Sequence, residues 1–146
     1  MSINIQSKSL SFHRKVLLGL TLMLAGRAMT LWFLGDVGSA LEGAPPNAWL
    51  SPLVGDAVIG VSALVIAGLI VRGRGLLAWT LIVTWNAVAI WDALAAYLVH
   101  VSVPWPSFFM VQLFGSSMFF MATAMHLLCL GLIARKEVRL DFGVTA

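Results

Sequence analysis

Three charged side chains stand inside otherwise apolar runs: Arg27 in "LAGRAMTLW", Asp56 in "LVGDAVIG" and Asp92 in "AIWDALAAY". Asn86 and Gln112 add an amide each to similar surroundings. One guanidinium and two carboxylates brought together could exchange a proton, hold a cation or solute, or simply lock helices in register. Their formal sum is one positive and two negative charges. Either one aspartate carries a proton, or a cation or a partner's basic group completes the set. Arg27, Asp56, Asn86, Asp92 and Gln112 are therefore read as one internal polar cluster and a candidate proton or solute site. Trp85 and His126 are read as a secondary ligand-binding pair. His126 is otherwise expected to act as an interfacial hydrogen-bonding residue.

Other chemistry is thinly supplied. His100 and His126 fall near opposite ends of their segments, so they cannot serve as two axial ligands of one haem iron. There is no HExxH, GxSxG, phosphate-loop or zinc spacing, so no catalytic residues and no metal are assigned. The single cysteine, Cys129, excludes an intrachain disulfide or a CxxC redox pair. The run "FFMATAM" at 119–125 reads as a lipid-facing or packing surface.

The elements that must position the cluster follow from composition. Of the 146 residues, 60% are hydrophobic and only 10% are charged, against about 25% charged in a soluble domain. So small a charged fraction cannot cover a surface in water, and lipid is the expected solvent. Apolar segments at 16–34, 53–71, 76–99 and 108–134 each approach the ~20 residues that span a hydrocarbon core. In lipid the backbone must satisfy itself, so they are expected to be helices. The expected fold is all-α: a single domain over 1–146 forming a four-helix transmembrane bundle. The first apolar stretch is longer than a signal-peptide core and contains Arg27, so it is read as a retained span.

Basic residues set the expected orientation. Lys8, Arg14 and Lys15 precede the first segment, Arg72 and Arg74 form "RGRG" after the second, and Arg135, Lys136 and Arg139 follow the fourth. The other two connections hold no Lys or Arg. The positive-inside rule then places both termini in the cytoplasm, and it accounts for the basic balance without nucleic acid. Trp32, Trp49 and Trp105 are expected at the outer interface.

At about 100° per residue, the third helix puts Trp85, Asn86, Ala89, Asp92, Ala93 and Ala96 on one arc. Val83, Ile90, Trp91, Leu94 and Leu98 fall on the other. The second helix aligns Asp56 with Gly60, Ala63 and Ala67, and the first aligns Arg27 with Gly19, Met23, Gly26 and Thr30. On the fourth, Gln112, Ser116, Thr123 and His126 share a stripe. Small residues let helices approach closely in lipid, so these faces are expected inward. Counting ~1.5 Å per residue puts Arg27 and Asn86 near mid-membrane, Asp56, Asp92 and Gln112 nearer the outer side, and His126 near the cytoplasmic end.

The layout resembles small four-helix bacterial inner-membrane proteins of the DoxX-like kind. The resemblance is carried by "LLGLTLMLAG" at 17–26, a Gly/Ala-rich second helix, the basic inner turn, and the order Gly55–Asp56, Trp85–Asn86, Asp92. It implies an inner-membrane location and, since some such proteins serve quinone-linked oxidoreductases, quinone or lipid as a ligand. The fourfold crossing also resembles small multidrug transporters, but those use an acid in the first helix, where this chain has Arg27. The first expectation is a non-enzymatic accessory or assembly subunit, with other membrane subunits or its own copies as partners and no resident cofactor. The alternatives are an oligomeric proton- or cation-coupled small-molecule carrier, and a quinone- or lipid-binding subunit.

Overall fold

A computed structural model describes residues 10–145, all helix and connection. α1 (Phe12–Leu24) starts at Ser11, whose hydroxyl accepts from the Arg14 amide at 3.4 Å. It runs on into a 3₁₀ segment, Ala25–Asp36. A single 3₁₀ turn, Asn47–Trp49, leads into α2 (Leu50–Arg72), with Pro52 in the first turn, where an absent N–H costs nothing. α3 (Gly75–Ser102) ends just before Pro104 and Pro106. Then come α4 (Phe109–Phe114), α5 (Ser117–Ile133) and α6 (Lys136–Asp141).

The spans Phe12–Asp36, Asn47–Arg72 and Gly75–Ser102 are long and apolar enough to cross a membrane, and Ser117–Ile133 is a shorter apolar helix. Their outer faces carry exposed Val65, Leu77, Trp91 and Leu98. Apolar surface on every side is the mark of a chain dissolved in lipid. It is a membrane protein.

Two departures from the expected segments matter for the site. The fourth segment is not one helix. Gly115 adopts φ 55°, ψ −147°, a conformation open to glycine and hostile to other residues, and it separates α4 from α5. The first segment changes pitch after Leu24. A 3₁₀ helix repeats every three residues and rises about 2.0 Å per residue, and runs beyond 3–4 residues are uncommon. Here the winding stacks Leu24, Arg27, Thr30 and Phe33 along one inward edge. Gly19 and Gly26 face outward with open space around them, contrary to the stripe drawn at constant 100°.

α2 packs on α1, on the 3₁₀ segment and on α3; α3 packs on α5; α1 closes the ring against α5. That closure is confined to one half. Beyond Leu24 the 3₁₀ segment packs chiefly on α2 and reaches α5 through the side chains of Arg27 and Phe33, with a cleft opening beside them. The closed half holds a core of Leu17, Ile66, Ile70, Ile82, Ile133 and Phe142. Its end is tied by Arg14, 7% exposed, which donates from Nε to the Ile70 carbonyl (3.0 Å) and from Nη2 to the Gly73 carbonyl (3.2 Å). The guanidinium also lies 4.2 Å from the Phe142 ring centroid. A residue read from sequence as an orientation signal thus also caps the last carbonyls of α2. Lys8, the other early basic residue of that argument, lies outside the described residues.

The open half is aromatic. Trp49 and Trp105, 2% and 3% exposed, pack with Phe33, Phe108 and Phe119. Their indole N–H groups donate to the carbonyls of Val103 (2.8 Å) and Gly43 (2.9 Å). These two tryptophans are core, not the interfacial anchors expected. Trp32, 85% exposed, does face outward.

Candidate functional site

Between the two cores the 3₁₀ segment brings Arg27 against α2 and α3. Its Nε donates to Asp56 Oδ1 at 2.7 Å, Nη2 donates to the same oxygen, and Nη2 donates to Asp92 Oδ2 at 2.5 Å. Nη1 lies 3.2 Å from His126 Nε2. A guanidinium only donates, so Nε2 must be the accepting nitrogen. The proton of the neutral ring therefore sits on Nδ1, which donates to Asn86 Oδ1 at 2.9 Å. Asn86 Nδ2 donates in turn to the Ile82 carbonyl at 2.9 Å. The chain of assignments is self-consistent from one end to the other. Asn86 and His126 are both 0% exposed, so every member of that chain needs its partner.

Glycines and one threonine make the geometry reachable. A Cβ on Gly55 would collide with Asp92 Oδ1, so the "GD" pair supplies one carboxylate and makes room for the other. A Cβ on Gly60 would collide with the backbone of Ala28, so Gly60 sets how close the 3₁₀ segment lies to α2. Thr30 Oγ1 is within 2.8 Å of the Arg27 carbonyl and 3.1 Å of the Leu53 carbonyl, tying the same two elements. Trp85 Nε1 donates to Ser62 Oγ at 2.8 Å, and its ring meets His126 edge-on at 5.2 Å.

The structure brings together Arg27, Asp56 and Asp92, with Asn86 one bond removed through His126. It does not bring Gln112. That residue is exposed on α4, because the glycine break detaches α4 from the face that carries His126. The same break corrects the depth of His126. It sits in the middle of α5 at the level of the cluster, not near the cytoplasmic end. Trp85 and His126 stand side by side, each bonded to protein partners, Trp85 to Ser62 and His126 to Arg27 and Asn86, and neither lines the cleft beside Arg27.

A cavity lies in the open half, between the 3₁₀ segment and α5, with a volume of about 360 Å³. Arg27, Asp56 and Thr30 form its polar floor, and Phe33, Trp49 and Phe108 close its far end. Exposed Met23, Met29, Phe114 and Met121 line its sides, so it opens laterally, where acyl chains would lie. Of the chain's seven methionines, all but Met1 border it: Met23, Met29, Met110, Met118, Met121 and Met125. Thioethers are flexible and polarizable and suit adaptable binding surfaces. The "FFMATAM" run thus contributes a cavity wall as well as packing. The missed signal was the clustering of methionine on two separate segments. Among the described residues no group of three His, Cys, Asp or Glu is placed to hold a metal ion. No family model, curated protein or solved structure matches this chain.

Proposed function

We propose that this is a bacterial inner-membrane protein of four crossings, with both termini cytoplasmic, that takes a lipophilic small molecule from the bilayer into its lateral cleft. The observation that carries the reading is the union of an apolar, methionine-lined cavity with a charged floor of Arg27 and Asp56. Pockets of several hundred Å³ with a few convergent polar groups are the usual form of a small-molecule site. Binding of this kind is the first step of the proton- or cation-coupled carrier considered from sequence. It also accommodates the quinone or lipid ligand that the DoxX-like resemblance implies. The experiment is native mass spectrometry of protein extracted in a mild detergent. A small-molecule adduct is expected on the wild type and absent from Ala122→Trp, which fills the cleft. Wild type and variant free of adduct alike, even after incubation with bilayer extract, would reject the reading.

The accessory-subunit reading keeps one observation in its favour. The cleft between the 3₁₀ segment and α5 opens laterally, and exposed Met23, Met29, Phe114 and Met121 offer an apolar surface to a partner's side chains. In the same experiment that reading expects a co-purifying protein chain in place of the adduct, lost in Ala122→Trp.

A further inference from the structure

We infer that the cleft takes a lipophilic cation, seated with its charge beside Asp56, and that the Asp56–Asp92 pair gives up a proton when the cation binds. This rests on the cleft-binding reading above and specifies its ligand class.

The groups that face one another at the cluster can be named element by element. Arg27 and Thr30 come from the 3₁₀ segment, Asp56 from α2, Asp92 and Asn86 from α3, and His126 from α5. His126 accepts from Arg27 and so is neutral. The fully ionised set therefore carries one net negative charge in surroundings that solvate charge poorly. Something positive must complete it.

Hydrogen-bond capacity points the same way. Of the five N–H groups of Arg27, four are engaged by Asp56, Asp92 and His126. Each carboxylate keeps one oxygen with no hydrogen-bond donor among the described residues. Unfilled acceptors outnumber unfilled donors. When the cleft is empty, a proton on the pair answers both deficits.

The two aspartates are not equally reachable. Asp92 presses its Oδ1 against Gly55 and does not border the cleft; its side chain is 16% exposed. Asp56 borders the cleft and is 26% exposed. The remaining walls are aliphatic, aromatic and thioether side chains, among them Phe33, Trp49, Phe108 and Phe119, and aromatic rings are compatible with a neighbouring cation. Apart from Arg27, no Lys or Arg borders the cavity. The loop beyond Phe33 carries only Asp36 and Glu42.

The exchange balances simply. The carboxylic O–H bond of the pair breaks, the proton leaves to water, and the incoming cation takes over its charge. No electron moves and no covalent bond to the ligand forms.

Tetraphenylphosphonium and tetraphenylborate share a shape and differ in the sign of charge, which makes them the test. Both are titrated into purified wild-type protein in nanodiscs by calorimetry, in two buffers of different protonation enthalpy. The phosphonium is expected to bind with release of about one proton, its affinity rising up to about tenfold per pH unit while the pair holds that proton. The borate is expected to bind at least tenfold more weakly and to release none. Asp56→Asn should abolish the proton release. Because that variant leaves Arg27 short of a partner and can misfold, the decision rests on the wild-type comparison. Equal binding of both ions, or phosphonium binding without proton release, overturns the cation inference while leaving the cleft reading intact. No binding of either ion also overturns it, and the adduct experiment then reports separately on the cleft.

Discussion

Arg27 is the residue on which the most contacts converge, and its removal discriminates between structure and chemistry. Arg27→Met leaves two carboxylates facing each other in the protein interior. Breaking a buried pair from one side costs about 3–5 kcal/mol, whereas replacing all partners with apolar groups is often neutral. We expect Arg27→Met to lose stability of that order in denaturant titration. The triple variant Arg27→Met/Asp56→Leu/Asp92→Leu should recover most of it while losing phosphonium binding. Recovery of binding together with stability would show that the ionic set serves the fold alone. At this scale the sequence was informative: a charge in lipid must find an opposite charge, so the three residues declared one another. The role of His126 was not legible, because its depth depended on a helix break that no periodicity announces.

The elements are held by close approach more than by apolar force, since lipid offers no hydrophobic gain for helix association. Gly60 is the sharpest instance. The 3₁₀ segment lies so near that a Cβ would strike the backbone of Ala28, while Gly68, on the same helix, has open space around it. Gly60→Leu should cost on the order of 3 kcal/mol or more by displacing the 3₁₀ segment and Arg27 with it. Gly68→Leu should change stability by less than about 0.5 kcal/mol. Thermal unfolding in detergent separates the two, and equal effects would remove Gly60 from its role. The inward stripes of the second and third helices were readable: Gly60, Ala63 and Ala67, and Asn86, Ala89, Ala93 and Ala96, are buried. Both helices are regular from end to end, so a constant 100° holds along them. On the first segment the change of pitch after Leu24 defeated the same calculation.

The whole molecule is polarised. Arg14, Arg72, Arg74, Arg135, Lys136 and Arg139 gather at the closed, aliphatic end, and the open, aromatic end carries the cleft. If that polarity is the membrane orientation, single cysteines divide accordingly in intact cells. Ser39→Cys and Ser107→Cys should react with a membrane-impermeant maleimide from outside, and Lys136→Cys only after the membrane is opened. Cys129 is buried and should stay unlabelled under native conditions. Labelling of position 136 in intact cells would reverse the assignment and move the cleft to the inner leaflet.

Composition and charge placement by themselves determined that lipid is this chain's solvent, that helices cross it, and that Arg27, Asp56 and Asp92 need one another. Those conclusions follow from solvation, which depends on what residues are present and roughly how far apart they lie. Tertiary structure decided the rest: that His126 joins the cluster, that Gln112 leaves it, that Trp49 and Trp105 turn inward, and that six methionines share one cavity. These depend on the change of pitch at Ala25, the break at Gly115 and the loop carbonyls of Gly43 and Val103, whose effect on distant neighbours appears only once the helices are packed.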